Sequence, residues 1–170
     1  MFDEIISKCK LQVRRECQFF GALMLFATIK KTKKIDTACT DGKDIYFNLD
    51  FLNSLNSSEQ NALMLHEVLH MALLHVTRRQ NRDPHIWNIA ADIVVNDLII
   101  RNTPFKLPDG AIIEKKYRDK SVEFIYESLL KNNKYKKYKV YINDLKSNEN
   151  KSSNKILSDS DKLEIESYWK

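Results

Sequence analysis

Residues 63–76 read Leu-Met-Leu-His-Glu-Val-Leu-His-Met-Ala-Leu-Leu-His-Val, an apolar run interrupted by three histidines and one glutamate. On a helix, which advances about 100° per residue, His66 and His70 lie about 40° apart on one face. Their imidazoles can converge on one point, because residues four apart are neighbours. Glu67 lies beside them, about 60° from His70. The residues expected to face the core share the other side: Leu65, Val68, Leu69, Ala72 and Val76.

This arrangement is typical of a zinc site. Catalytic Zn²⁺ takes three protein ligands and keeps a further position for water. The spacing His-Glu-x-x-His on a helix is a fairly specific signal for such a site. We therefore predict one Zn²⁺ per chain, with His66 and His70 as ligands. Glu67 is predicted to be the catalytic residue that accepts a proton from the metal-activated water.

Asp92 and His75 compete to be the third ligand. If the helix runs unbroken to residue 76, His75 points about 160° away from the other two histidines. Residues 71–74 contain no glycine and are good helix formers, so no sharp turn is expected there. His75 would then be a helix-end residue near the negative end of the helix dipole. Asp92 is preferred, because the chain has room to return as a second helix, and His75 is the alternative.

The second helix carries a polar stripe on an otherwise apolar sequence. Asn88, Asp92 and Asn96 are spaced by four residues. A carboxylate in such surroundings needs a partner, since burying an unpaired charge is costly. A cation would satisfy Asp92, and Asn88 and Asn96 would orient the ligands. The competing interpretation is an ion pair between Asp92 and an arginine, such as Arg78 or Arg79.

The remaining sequence predicts a mixed, mostly helical domain. Asp41-Gly42 separates two β-compatible runs, 33–40 and 43–48, which predicts a hairpin. The apolar run from Phe19 to Ile29 fits either a buried helix or a buried strand. Other helices are expected over residues 2–18, about 58–76 after a capping box at its start, about 85–101, and 121–131 with Phe124, Ile125, Leu129 and Leu130 inward. The expected fold is α+β, with a small antiparallel sheet beside the histidine-bearing helix.

Composition changes sharply after residue 131. Residues 132–157 are polar and basic, which predicts a disordered linker. Residues 1–131 would form the domain, and 158–170 would begin a further helix or domain. The chain would then be either a fragment or a short form that lacks a partner domain. The lysine- and tyrosine-rich part of the linker could contact nucleic acid, but a solvated linker is favoured.

Composition also limits the cellular context. Of 170 residues 43% are hydrophobic, the formal net charge is +5, and there are three cysteines without metal-knuckle spacing. The cysteines are expected to be packed and reduced. The acidic start is unlike a secretory signal, and no apolar run reaches the ~20 residues that span a bilayer. A cytoplasmic protein with no membrane partner is predicted.

Several motifs in order resemble a bacterial metallopeptidase-like domain that usually precedes a von Willebrand factor A-like domain. They are Thr37 to Gly42, Tyr46-Phe47-Asn48, His66 to His75, Arg78-Arg79, Trp87 to Asp92, and the later Leu107 to Gly110, Tyr117 and Ser121 to Tyr126. The resemblance covers about residues 15–131. It implies a zincin-like α+β fold and metal-dependent hydrolysis.

Two functions follow from these patterns. The leading one is a zinc peptidase in which an extended peptide substrate pairs with the edge strand of the hairpin. Its oxyanion-stabilising group is not identified by the sequence, with His85, Arg78 and Tyr117 as weak candidates. The alternative is a non-catalytic, zinc-stabilised module that works with a partner, such as a von Willebrand factor A-like domain or an ATPase. Such a module would not need Glu67.

Overall fold

The computed structural model describes residues 1–138, and these residues form helices around a small sheet. The helices are α1 (Phe2–Glu16), α2 (Gln18–Leu23), α3 (Leu49–Ser54), α4 (Ser57–Ala72), α5 (His75–Arg78), α6 (Pro84–Asn102) and α7 (Val122–Lys131). The strands are β1 (Thr28–Thr32), β2 (Ala38–Thr40) and β3 (Asp44–Asn48), and two 3-10 helices are Lys115–Tyr117 and Lys134–Lys137. The expected α+β class with mostly helical content is confirmed.

The sheet has the strand order β1-β3-β2 and is mixed. The predicted hairpin forms: β2 pairs antiparallel with β3, and Gly42 in the turn has a φ of 95°. The first arm is shorter than expected, since only residues 38–40 of 33–40 form a strand. A purely antiparallel sheet was wrong as well, because β1 pairs parallel with β3. The run from Phe19 to Ile29 therefore supplies both a helix and the start of a strand.

Helix α4 begins at the predicted capping box. The Asn56 side chain accepts hydrogen bonds from the backbone at Ser58 and Glu59, and the Glu59 carboxylate accepts one from the Asn56 backbone. The expectation that this helix runs to residue 76 was wrong. It ends at Ala72, and Leu74 adopts a left-handed conformation with φ 56° before α5 starts.

Helix α6 is the element that joins the two parts of the core. Asp83 caps its start by accepting a hydrogen bond from the Ile86 backbone, and Pro84 occupies the first turn. Val95 and Ile99 pack into a cluster with α1, α4 and the sheet. Trp87 and other residues nearer its start pack with α7 in a second cluster. Because it is apolar on several sides, α6 is buried along most of its length.

The C-terminal part of the described region departs from the prediction. Ile125 and Leu129 of α7 are buried as expected, but Phe124 and Leu130 are exposed. Tyr135 and Tyr138, which follow the boundary predicted at residue 131, pack against the second cluster. The rest of the predicted linker and the helix predicted over 158–170 lie outside the described residues. Within residues 1–138, none of the helices has the length and apolar character needed to cross a membrane.

Close packing of α1 against α2 depends on Gly21. A Cβ added there would lie 2.5 Å from the Arg14 Cα and 2.7 Å from its Cβ. These are backbone-proximal atoms that cannot rotate away, so the two helices would have to separate.

We predict that Gly21→Ala lowers the free energy of unfolding by about 1–2 kcal/mol, because overpacking costs about 1–3 kcal/mol. Helix propensity alone would raise it by about 0.5–1 kcal/mol. Urea unfolding followed by circular dichroism measures the sign of the change. Ala22→Ser, on the exposed side of the same helix, is the matched control. A stabilised Gly21→Ala variant would refute the close approach.

Candidate metal centre

Three acceptor atoms converge between α4 and α6. The Nε2 atoms of His66 and His70 are 2.9 Å apart. The Asp92 Oδ1 atom lies 3.4 Å from the first and 3.2 Å from the second. The side chains of His66, His70 and Asp92 are only 12%, 11% and 16% exposed, so solvent satisfies them poorly. The structure thus brings together the two motif histidines and the aspartate that the sequence favoured.

The arrangement follows from helix geometry. His66 and His70 are one turn apart on α4, which places their rings side by side with centroids 4.5 Å apart. Asp92 lies in the middle of α6, and α6 packs against α4. Among the described residues this is the group of three that could hold a metal ion, with all ligand atoms within 4.8 Å.

Asn96 fixes the orientation of the His66 ring. The His66 Nδ1 atom is 2.9 Å from the Asn96 Oδ1 atom, and the Asn96 amide nitrogen donates to the Ile112 carbonyl over 3.0 Å. The second bond identifies Oδ1 as the atom that faces the ring. Because an amide oxygen only accepts, His66 must donate from Nδ1. Its Nε2 atom is then left with a lone pair directed at the cluster.

His75 lies behind His70, and its position corrects the prediction. It was expected to point away from the histidine pair, but the turn at Leu74 places its Nδ1 atom 3.1 Å from the His70 Nδ1 atom. The Trp87 indole donates to the His75 carbonyl over 2.8 Å. His75 is buried rather than placed at an open helix end, and its ring contacts His70 instead of joining the three converging atoms.

The protonation states of His75, His70 and Asp92 are compatible with metal binding at the cluster. Burial lowers the pKa of His75 to about 2, so its ring is neutral. Burial also lowers the pKa of His70, and a neutral His70 can donate from Nδ1 to His75 while its Nε2 lone pair faces the cluster. Burial opposes the charge of Asp92. Hydrogen bonds from the two histidines, which need protons shared with their Nε2 atoms, outweigh burial and hold the pKa of that carboxyl well below its usual range. A metal ion would take the place of those shared protons.

The donor set fits a metal ion. Ligand atoms on a tetrahedral zinc at about 2.0–2.1 Å lie about 3.3 Å from one another, and the three distances here are 2.9, 3.2 and 3.4 Å. Three acceptors this close repel each other unless a cation or shared protons lie among them. Imidazole nitrogens with a carboxylate oxygen are a common zinc set, and the outward bonds to Asn96 and His75 are typical of residues that orient metal ligands.

Glu67 is buried beside the cluster, where it lines two adjoining pockets. Burial, the negative charge of Asp92 adding to it, raises the pKa of Glu67 to about 7. A buried carboxyl beside a cluster of metal-binding type is in the position that a general base needs.

The other site residues predicted from the sequence do not join the three converging atoms. The Arg78 guanidinium makes a two-pronged ion pair with Glu123, so it is not the partner of Asp92. The Tyr117 hydroxyl bonds to Ser128, away from the cluster. Arg79 and Asn88 line the smaller pocket, and His85 lines neither pocket.

Two pockets open on the cluster and differ in size. The smaller one, of about 50 Å³, is bounded by His70, Glu67 and Asp92 together with Thr40 and residues of α5 and α6. The larger one, of about 190 Å³, is bounded by His66, Glu67 and Asp92 together with α3, α4 and the segment 107–112. The resemblance had named two of the lining segments, Thr37 to Gly42 and Leu107 to Gly110. The sequence did not place them beside the cluster, because that depends on contacts between residues far apart in the chain.

Similarity to known proteins identifies the family of the chain. The chain belongs to the family described as "Putative metallopeptidase domain", whose model matches residues 4–164. It is also similar to a protein of Thermotoga maritima described as uncharacterized, with 23% identity over 120 residues, which are 66% of this chain and 30% of that protein. No solved structure matches the chain. The resemblance seen in the sequence is thus confirmed at the level of the family.

Removal of any one cluster residue should abolish metal binding. We expect about one zinc per purified wild-type chain and almost none in His66→Ala, His70→Ala or Asp92→Ala, by elemental analysis. His85→Ala, a histidine outside both pockets, is the control and should keep its zinc. A chelator should also lower the melting temperature of the wild type, because the ion binds the folded state. Full zinc content in all three variants would contradict the site.

A separate prediction distinguishes His75 from a ligand. His75→Leu keeps bulk but removes the acceptor for His70, so zinc affinity should fall about 10–100-fold, well short of the loss in Asp92→Ala. His75→Asn offers an amide oxygen near the place of Nδ1 and should recover part of the affinity. Competition titration with a zinc chelator measures all three. A loss in His75→Leu as large as in Asp92→Ala would make His75 a ligand.

Proposed function

We propose that this chain is a zinc-dependent peptidase domain of the zincin-like kind, with His66, His70 and Asp92 as the metal ligands. The observation that carries the proposal is the convergence of three acceptor atoms with Glu67 buried alongside them. Membership of a metallopeptidase family supports the same reaction class.

The residues divide the work between them. A bound zinc ion would act as a Lewis acid: it would lower the pKa of a bound water and polarise the carbonyl of the scissile peptide bond. Glu67 accepts the proton that the attacking water loses and delivers it to the nitrogen of the leaving amine. Its buried position beside the cluster places it where it can make both transfers. Asn96 and His75 hold the two histidine rings so that Nε2 rather than Nδ1 faces the ion.

The substrate is proposed to be a peptide in an extended conformation. Strand β2 is an edge strand of the sheet. Thr37, just before β2, lines the larger pocket, and Thr40, its last residue, lines the smaller one. A peptide lying along β2 would therefore cross the cluster from one pocket to the other. Pairing with a sheet edge binds the backbone and leaves the side chains to set specificity.

Further domains remain a proposal drawn from the resemblance. The chain spans only about 30% of the length of the Thermotoga maritima protein that it matches. A von Willebrand factor A-like domain or an ATPase partner would deliver substrates to the site or regulate it. A non-catalytic role alongside such a partner is the competing function, and Glu67 separates the two.

Glu67→Gln tests the catalytic role. Glutamine keeps the volume but cannot act as a base near neutral pH, so zinc should stay bound while peptide hydrolysis falls at least about 100-fold. The measurement is zinc content together with cleavage of a broad mixture of peptides followed by mass spectrometry. Glu127→Gln on α7, outside both pockets, is the matched control. Equal cleavage by Glu67→Gln and wild type would refute the mechanism, and a zinc-loaded wild type without cleavage would favour the non-catalytic module.

A further inference from the structure

We propose that the larger pocket binds a bulky apolar side chain, leucine- or phenylalanine-like, on a residue next to the scissile bond. The proposal rests on the peptidase function above, and it names the substrate class that the site selects. The basis is the position, the lining and the size of the pocket.

The position of the pocket ties it to the reacting atoms. Its lining includes His66, Glu67, Asp92 and Asn96. Two of these are proposed metal ligands, and Glu67 is the proposed base. A carbonyl held for attack at the cluster would therefore have a neighbouring side chain within reach of this pocket. The pocket is part of the site rather than a separate surface feature.

The walls of the pocket are mostly apolar. The apolar side chains come from α3, α4 and the segment 107–112, and they are Phe51, Leu63, Leu107, Pro108, Ala111 and Ile112. Thr37 and Gly110 also line the pocket. Outside the cluster, Asp109 is the one charged residue in the lining, and it is exposed. A carboxylate at the rim disfavours an acidic side chain, and an interior without further charges favours hydrocarbon.

Size decides which pocket takes the side chain. The larger pocket has about 190 Å³, more than an engineered cavity of about 150 Å³ that binds benzene. The smaller pocket has about 50 Å³, about a third of the volume of that benzene-binding cavity. A leucine or phenylalanine side chain therefore fits the first and not the second.

The wall is held in a fixed shape. The Ile112 carbonyl accepts from Asn96, and the Lys106 backbone donates to the Ser58 hydroxyl over 2.8 Å. Between these anchors, the Ala111 backbone donates to the Pro108 carbonyl in a turn, with Gly110 at a φ of 89°. A wall fastened at both ends favours a preformed pocket, which can discriminate by shape.

The first experiment measures selectivity of the zinc-loaded protein. Matched peptides carry glycine, leucine, phenylalanine, lysine or glutamate at one position on either side of the bond that is cleaved. We expect kcat/KM for leucine or phenylalanine to exceed that for glycine about 10- to 100-fold on one side. In Ala111→Phe, which fills the pocket, that ratio should collapse towards 1. Ile113→Phe adds the same ring to an exposed neighbour that does not line the pocket, and should keep the ratio.

The second experiment does not depend on catalysis. Saturation-transfer NMR with zinc-loaded Glu67→Gln should detect the acetylated amides of leucine and phenylalanine, but not that of glycine, and Ala111→Phe should remove the signal. Binding of this kind with no cleavage by the wild type would support the pocket while refuting the peptidase. Cleavage without apolar preference would refute the pocket alone. A preference for lysine would mean that Asp109 selects a basic side chain, and it would overturn the proposal. A lack of both binding and cleavage would overturn it as well.

Discussion

The mutual repulsion of three acceptor atoms is the constraint on which the site depends. Two imidazole nitrogens and a carboxylate oxygen lie within 3.4 Å of one another with little access to water. A fold can keep such a group only if a cation or shared protons offset the repulsion. Helices α4 and α6 bring the three atoms together. Both are anchored in the first apolar cluster, and α6 is also anchored in the second. The core therefore supplies the free energy that holds the polar cluster in place.

The break in the helix after Ala72 serves this cluster. A leucine in the left-handed region costs about 1–2 kcal/mol. Around Leu74 the cost is offset by contacts that only the turn permits: Arg78 donates to the Leu73 carbonyl, and the Trp87 indole donates to the His75 carbonyl. The strained residue thus lies next to the histidine that the turn places behind His70, as expected where strain is retained for a functional arrangement.

The sequence predicted the local parts of this structure well, because they depend on spacing alone. His66 and His70 share a face on any helix, and Asn56 with Glu59 marks a helix start without reference to the fold. The turn at Leu74 was missed because neither Leu73 nor Leu74 has a preference for that conformation, so distant contacts decide it. The parallel pairing of β1 with β3 was missed because it also depends on contacts between residues that are distant in the chain.

In the site, too, the sequence predicted what local spacing sets and missed what distant contacts set. Asp92 and Asn96 could be chosen from their spacing on an apolar helix, but the Ile112 carbonyl could not, since a backbone acceptor leaves no trace in the side-chain pattern. The environment of Arg78 was equally hidden, because its partner Glu123 lies 45 residues away. Long-range pairing thus limited both the fold and the site.

The Asn96 amide has a consequence for how the protein responds to its ligands. Its oxygen bonds to the His66 ring, and its nitrogen bonds to the segment that walls the larger pocket. One side chain therefore contacts both a proposed metal ligand and the wall of the larger pocket. By thermodynamic reciprocity, whatever free energy a molecule bound at the wall transmits to the ring through this side chain, an ion bound at the ring transmits to the wall. Binding of an ion at the cluster and of a ligand in the larger pocket would then be cooperative, with the Asn96 carboxamide as the group that couples them.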